Sequence, residues 1–291
     1  MVIRTGITAL LQYLFRIPFH THTFTWFAST YSSAVVFLAR IFRKKSIIVL
    51  GGVDVAKLPE YHYGIWNSRW RSMLVRYAIR NADVVLAVDE SLKKDAQSLV
   101  PYDGKNILVL PTGYDDRQWI PAGQKENIVL TVAHCPDISK AKIKGIDFLI
   151  DIARQLRHIQ FVVVGIHSSV LNYYSFPENV TVIEYIGQDN LLTYYQRAKI
   201  YLQPSLREGL PNTLCEAMLC ECYPVGTHTG GIPTAIGDIG TIIPFGDIPA
   251  ALSGITQGMA IERCATARKR IQHSFSLRAR EQKLYKIIHH R

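Results

Sequence analysis

The run PSLREGLPNTLCEAMLCECYPVGTHTGGIP, residues 204–233, concentrates the residues best suited to chemistry. Glu208 lies in a loop after a strand ending at Pro204, and Glu216 lies within a helix predicted to begin near Asn212. The first turn of a helix leaves N–H groups unpaired and its dipole favours negative charge, so the amides of Asn212 and Thr213 offer a ready anion site. Glu216, about one turn further on, would face a hydroxyl-rich group such as a ribose. Glu208 would face the other side of the anion. A second loop, Thr229-Gly230-Gly231, precedes the next helix, and glycine there permits close approach of backbone to a ligand. By themselves two glutamates at this spacing say little, because such pairs are common on protein surfaces.

Those residues need a scaffold, and from residue 127 the sequence alternates strand and helix: NIVLTVAH, the amphipathic KGIDFLIDIARQLR, IQFVVVGI, VTVIEYI, DNLLTYYQRA, KIYLQPS, NTLCEAMLC, CYPVGT, IPTAIGD and GTIIPF. Runs of Val, Ile and Leu bounded by Gly or Pro are what strands covered on both faces require. Six such strands with intervening helices predict a doubly wound parallel sheet, whose ligands bind where the strand order reverses. Before residue 127 a shorter alternation gives four strands, TFTWFAS, SIIVLGG, DVVLAV and NILVLPT, with helices over 33–42, near 66–79 and in ESLKKDAQSLV. The polar segment GYDDRQWIPAGQKE reads as the connection between two Rossmann-like domains, with Asp115-Asp116 as a turn or hinge. The class is therefore α/β, divided into 1–118, 119–260 and a helical tail, 261–291, long enough to cross back to the first domain.

The chain has 291 residues, 48% hydrophobic and 19% charged, a balance that excludes wholesale disorder. The longest uncharged stretch, 17–39, carries Pro18, His20 and His22 and makes a poor membrane span. The start, MVIRTGITALLQYLFR, faintly suggests a secretory signal, but no small-residue cleavage site follows Arg16, and the expected location is cytoplasmic. The net charge of +10 sits at the ends: residues 1–53 hold six Lys or Arg and no acid, and residues 262–291 hold nine basic and two acidic side chains. Such clustering suits an anionic partner, nucleic acid, a phospholipid surface or a phosphorylated lipid, and solvated helix faces explain it equally well. Phe15, Phe19, Trp26 and Phe27 add apolar surface at the basic N-terminal end, with strand burial expected for Trp26 and Phe27. Five cysteines, three of them at Cys215, Cys220 and Cys222, lack a second ligand pair and read as buried thiols of a reducing compartment rather than a zinc site. No G-x-G-x-x-G follows a predicted strand, which argues against a nicotinamide dehydrogenase, and the basic ends lack the interleaved aromatics of a nucleic-acid module.

Taken with the order of elements, the run 204–233 resembles the retaining glycosyltransferases of family four, which have the two-domain GT-B fold. The family's E-x7-E, EAM, Pro-Val strand and Gly-Gly loop stand here as Glu208, Glu216, Ala217, Met218, Pro224, Val225 and Gly230-Gly231. Its Lys-Gly opening the first helix of the donor domain is matched by Lys144-Gly145, and its Asn-Gly-x-Asp at the domain connection by Thr112-Gly113-Tyr114-Asp115. The resemblance is strong from residue 105 to about 255 and weak before residue 45. It implies an acceptor-side domain in 1–118 and a nucleotide-sugar donor-binding domain in 119–260. It further implies that Glu216 accepts hydrogen bonds from the ribose, that Glu208 is the catalytic carboxylate holding donor-sugar hydroxyls, and that Lys144 neutralises the leaving diphosphate. Gly209, Leu210, Asn212, Thr213, Gly230 and Gly231 complete the implied donor site. The implied reaction moves a sugar from a nucleotide-sugar to an acceptor hydroxyl with retention, in cell-surface polysaccharide or glycolipid synthesis. Its acceptor would be a glycan or a lipid-linked acceptor, met by a peripheral protein on the inner, anionic face of the membrane. No cofactor and no metal are expected, because lysine, helix dipole and amides hold the diphosphate, and no D-x-D motif lies beside the site.

The sequence departs from the family at named places. His134 stands where the family has an Arg, and Lys140 or Lys142, on a longer loop, are further candidates for that second charge. Thr234 replaces the acidic residue after Gly-Gly-x-Pro, and Gly51-Gly52 and Asp54 stand where a His often ends a strand. The first domain is incomplete: it lacks the family's opening strands and glycine-rich loop. Truncation is the favoured expectation, ahead of a compact relative completed by a partner. The alternative function is a GT-B protein that binds nucleotide-sugar without transfer; the EAM and Gly-Gly motifs disfavour a UDP-sugar epimerase of the same architecture.

Overall fold

Two parallel sheets form, their central strands being apolar runs covered on both faces. The computed structural model describes residues 7–289, with side chains from Leu10; Arg4 and Arg291, two of the terminal basic residues, lie outside the described residues. The chain divides into two units, Met1–Pro111 with Lys283–Arg291, and Thr112–Gln282.

The first unit carries α1 (Ile7–Arg16), β1 (His22–Trp26), α2 (Thr30–Ile41), β2 (Lys45–Leu50), α3 (Arg69–Asn81), β3 (Val84–Ala87), α4 (Glu90–Leu99) and β4 (Ile107–Val109). The four strands pair in parallel in the order β1-β2-β3-β4. Helix α2 starts in a capping box between Ser29 and Ser32, and Asp89 caps α4. Buried Asp54 accepts N–H bonds from Ala28 (3.0 Å) and Gly52 (2.7 Å), which ties the segments following β1 and β2 together. Strand β1 forms the edge of the sheet, and Trp26 and the following Phe27 are exposed. This corrects the strand burial expected for both: Trp26 shares with Phe24 the face of β1 that is left exposed, and Phe27 lies past the end of the strand with φ 67°.

The second unit carries β5 (Glu126–Cys135), α5 (Ile138–Ile143), α6 (Ile146–Gln155), β6 (Gln160–Ile166), α7 (Ser168–Leu171), β7 (Val180–Ile183), α8 (Gln188–Arg197), β8 (Ala198–Gln203), α9 (Asn212–Leu219), β9 (Tyr223–Thr227), α10 (Ile232–Ile236), β10 (Thr241–Ile243), α11 (Ile248–Met259) and α12 (Ala265–Ser274), and the start of α13 (Leu277–His289). Its six strands run parallel in the order β10-β9-β8-β5-β6-β7. The chain builds outward from β5 through β6 and β7, then returns to the other side of β5 with β8, in the register Val129↔Ile200 and Leu130↔Tyr201. The order reverses between β5 and β8, and the carboxyl ends of those two strands are where such a sheet places a ligand. Val129, Leu130, Val163, Ile200, Leu202 and Val225 fill the centre, and α6 lays Ile146, Leu149, Ile152 and Ala153 against it.

Two expectations are corrected, the boundary between the units and the single helix of the tail. The division between units falls after Pro111, not after residue 118, because the connection is bound to the second unit's last helices: Tyr114 N donates to Phe275 O (2.8 Å) and Arg268 Nη2 to Asp116 O (2.8 Å). The tail 261–291 is not one helix. Buried Phe275 and Ser276 interrupt it, since Phe275 O and Leu277 N are taken by the backbone of Tyr114. Most of the tail belongs to the second unit; only its end, from Lys283, groups with the first, where Lys45 Nζ donates to Ile287 O (2.6 Å). All five cysteines are free and buried. Among the described residues no helix is long and apolar enough to cross a membrane.

Candidate active site

The site grows from the carboxyl end of β8. Gln203 and Ser205 are buried there, and both turn their side chains toward Glu208 in the following loop. Glu208 Oε1 accepts from Lys144 Nζ (2.6 Å), Ser205 Oγ (2.7 Å) and Gln203 Nε2 (3.0 Å). The Glu208 side chain is 10% exposed and that of Lys144 24%, so water screens the pair weakly. Oε2 of Glu208 accepts no hydrogen bond from the described residues, which leaves it available to an incoming hydroxyl.

Two glycines make this juxtaposition possible. Gly145 has φ 72°, and a Cβ there would run into the Pro204 carbonyl. Glycine at that position lets the Lys144 turn sit directly on the end of β8. Lys144 closes α5 and precedes α6, so Lys144-Gly145 lies between two helices rather than opening the first, a correction caused by the short α5. Gly230 has φ 52°, and a Cβ there would meet the Glu208 carbonyl. Gly231 N donates to Gly209 O (2.7 Å) and Thr229 Oγ1 to Leu206 O (3.0 Å), which stitches the Gly-Gly loop to the Glu208 loop beside buried Leu210.

Helix α9 opens at Asn212 behind Pro211, and no side chain caps it. The side chains of its first two residues are engaged laterally: Asn212 Oδ1 accepts from Tyr114 (2.9 Å) and Thr213 Oγ1 from Tyr201 (2.7 Å). The first-turn amides retain the anion-binding capacity of a helix start. One turn on, Glu216 Oε2 accepts from the Tyr195 hydroxyl (3.0 Å), while Oε1 bonds to no described residue. Burial pushes the Glu216 carboxyl up to about 7, and the Tyr195 hydrogen bond opposes that rise. Tyr201, buried in β8, lies within electrostatic reach of both Glu216 and Glu208.

Of the further cations, Lys140 comes near: burial and the Lys144 charge hold its ammonium below the usual lysine range, with Glu208 acting the other way. Lys142 instead lies over the Tyr173 ring, 5.7 Å from its centroid, and His134 is exposed on β5; neither is bonded to Glu208. Sequence reasoning missed Gln203, Ser205 and Tyr195. Gln203 and Ser205 flank Pro204 at the strand end and could have been suspected from position, whereas Tyr195 reads as one more apolar residue of α8.

Residues 127–259 match the family described as glycosyl transferases group 1. N-acetyl-alpha-D-glucosaminyl L-malate synthase of Bacillus anthracis is 24% identical over 231 residues, covering 70% of this chain. The chain spans 56% of the length of that relative. Among solved structures, Anabaena Alr3699/HepE in complex with UDP and glucose superposes with a TM-score of 0.81 at 15% identity, covering 98% of this chain and 82% of that one. Sucrose-phosphate synthase from Thermosynechococcus elongatus gives 0.76 at 17% identity, covering 96% and 77%. Both share the mixed α/β architecture with parallel sheets. Residues 127–259 thus resemble the glycosyl transferases group 1 family, and the two parallel sheets match the fold of these GT-B neighbours.

Proposed function

We propose that the chain is a glycosyltransferase that moves a hexose-type sugar from a nucleotide-sugar to an acceptor hydroxyl with retained configuration. One observation carries the reading: a carboxylate, Glu208, neutralised by Lys144 at the end of β8, stands beside the uncapped start of α9. In the reaction the bond from the anomeric carbon to the phosphate oxygen breaks, and its electron pair leaves on the diphosphate. Lys144, with Lys140 behind it and the amides of Asn212 and Thr213, stabilises that charge where it develops. Glu208 Oε2 takes a hydroxyl of the donor sugar, and Glu216 takes the ribose. The acceptor oxygen bonds to the anomeric carbon and its proton leaves with the departing diphosphate. These groups suffice to hold the diphosphate, so the reading requires no metal or other cofactor. Similarity to N-acetyl-alpha-D-glucosaminyl L-malate synthase and to a fold solved with UDP and glucose supports a nucleoside diphosphate sugar as donor.

The acceptor we infer is a glycan or lipid-linked glycan of cell-surface polysaccharide or glycolipid synthesis, met by a cytoplasmic protein lying peripherally on an anionic membrane face. A thermal-shift screen of nucleotide-sugars tests the donor site. A specific donor at 100 times its dissociation constant should add about 2.7 kcal/mol, with or without EDTA. Loss of binding in EDTA with recovery in Mg²⁺ or Mn²⁺ would overturn the metal-free reading. The anomeric configuration of the product, read by NMR, tests retention; binding with no turnover on any acceptor would favour a nucleotide-sugar-binding protein without transfer.

A further inference from the structure

Tyr195 is fully buried on α8, with its ring held edge-on by Trp119 (centroids 5.4 Å apart) and tilted against Tyr201 (6.0 Å). Its backbone carbonyl is also fixed, accepting from Lys125 Nζ (2.8 Å) and Cys222 Sγ (3.2 Å). A tyrosine so confined cannot swing its hydroxyl to water, and that hydroxyl donates to Glu216 Oε2 at 3.0 Å. The bond fixes one oxygen of the Glu216 carboxylate and leaves Oε1 without a bond to any described residue. A carboxylate that is to accept from a vicinal diol needs a defined orientation and a negative charge, and a rigid donor on its far oxygen supplies both.

We propose that Tyr195 is the positioning residue for nucleotide recognition: its hydroxyl orients Glu216 and keeps it an acceptor for the two ribose hydroxyls. The inference rests on the donor site proposed above. The titratable groups around Glu216 are Tyr195 from α8, Tyr201 from β8, Tyr114 from the connection, and Cys215 and Cys220 on or beside α9 itself. Burial pushes all five upward, that of Cys215 to about 12, so each stays neutral at physiological pH. Glu216 is therefore the group among them that changes charge near neutrality. Removing the Tyr195 hydroxyl takes away the bond that opposes the rise, so Glu216 holds its proton to higher pH.

The test titrates UDP, ADP and GDP into the full chain and follows the tightest of them from about pH 6 to about pH 9, bracketing the Glu216 transition. Tyr195→Phe keeps the ring and its packing. It should weaken the nucleotide by roughly tenfold near neutral pH, the scale of a hydrogen bond to a charged group. The deficit should shrink as the pH rises, with the midpoint of the affinity profile displaced upward. Donor KM should rise by more than kcat falls. Against the 2′,3′-dideoxy nucleotide, which has no diol for Glu216, the substitution should have no effect. Should Tyr195→Phe fail to fold, 3-fluorotyrosine at position 195 replaces it; its more acidic hydroxyl donates more strongly and should move the midpoint downward. An unchanged midpoint and affinity, in a wild-type chain that binds nucleotide, would overturn the role of Tyr195 alone. If the wild-type chain binds none of the three nucleotides, the donor site falls and this role with it.

Discussion

At Glu216 the demands of binding and folding pull in opposite directions. Its carboxyl is pushed from 4.5 up to about 7 by burial, so between those values the folded chain binds a proton that the unfolded chain has released. A folded-state pKa above the unfolded one means that stability falls as the pH rises through that window. Above pH 7 the cost reaches up to about 3 kcal/mol, and Glu216→Gln should recover much of it while leaving stability below about pH 4.5 nearly unchanged. Urea melts of the two chains at several pH values check this; a variant less stable at every pH would contradict it. Nucleotide binding should move the other way. Glu216→Ala is expected to weaken it by about 1.5–3 kcal/mol, the range for a hydrogen bond to a charged group, whereas Glu208→Ala should spare nucleotide affinity and depress transfer. Calorimetry on the two variants separates the roles, and equal affinities for the wild-type chain and Glu216→Ala would remove Glu216 from the site.

The elements matter here mainly through what they bring to the end of β8. Gly145 combines φ 72° with a carbonyl where a Cβ would sit, so Gly145→Ala must displace either the start of α6 or the Pro204 turn. A cost of about 1–3 kcal/mol is expected in urea unfolding, and donor affinity should fall as well, because Lys144 is the preceding residue. Stability lost with donor affinity intact would mean that the Lys144–Glu208 geometry does not serve the donor. Much of this scaffold was legible in the sequence. Strands covered on both faces read as near-continuous runs of Val, Ile and Leu, as in β2, β5 and β6, and the other expected strands formed as well, although β1 (HTFTW) and β9 (YPVGT) carry no such run. Glu208, Asn212, Glu216 and Gly230 were legible because they fall within one short stretch and their spacing can be read along the chain. The contributions of Gln203, Ser205 and Tyr195 were not, because they are hydrogen bonds whose geometry exists only once β8, α8 and α9 are packed. The exposure of Trp26 and Phe27 was hidden for a related reason: which face of a strand is covered depends on what packs against it, and no local pattern in HTFTW reports it. The break between α12 and α13 depends on Tyr114, a residue of the distant connection.

For the molecule as a whole, the fate of its +10 charge decides how it could meet a membrane. Part of the basic tail is already engaged in the second unit: Arg268 donates to the carbonyls of Trp119, Leu219 and Asp116, Arg270 to those of Thr234 and Ala235, and Arg263 pairs with Glu221. These arginines hold structure and are not counted toward a lipid surface. The first unit differs, since Arg40, Arg43, Lys283 and Lys286 are exposed there. So are Leu10, Leu11, Leu14 and Phe15 on α1, and Phe19 just beyond it is 87% exposed. A short amphipathic helix with an open apolar face and basic neighbours has the composition of an interfacial element. Each basic side chain near an anionic surface contributes about 1 kcal/mol, a term that salt removes, while the apolar side chains contribute a term that salt does not weaken. Flotation of the chain with anionic and neutral liposomes, at low and high salt, should therefore give binding to the anionic vesicles that weakens as salt rises. Replacing Leu11 and Phe15 by Glu should abolish binding even at low salt, whereas Arg43→Glu and Lys286→Glu should flatten the salt dependence first. A folded chain that floats with neither vesicle would reject membrane docking and leave the exposed charge as a solubilising face.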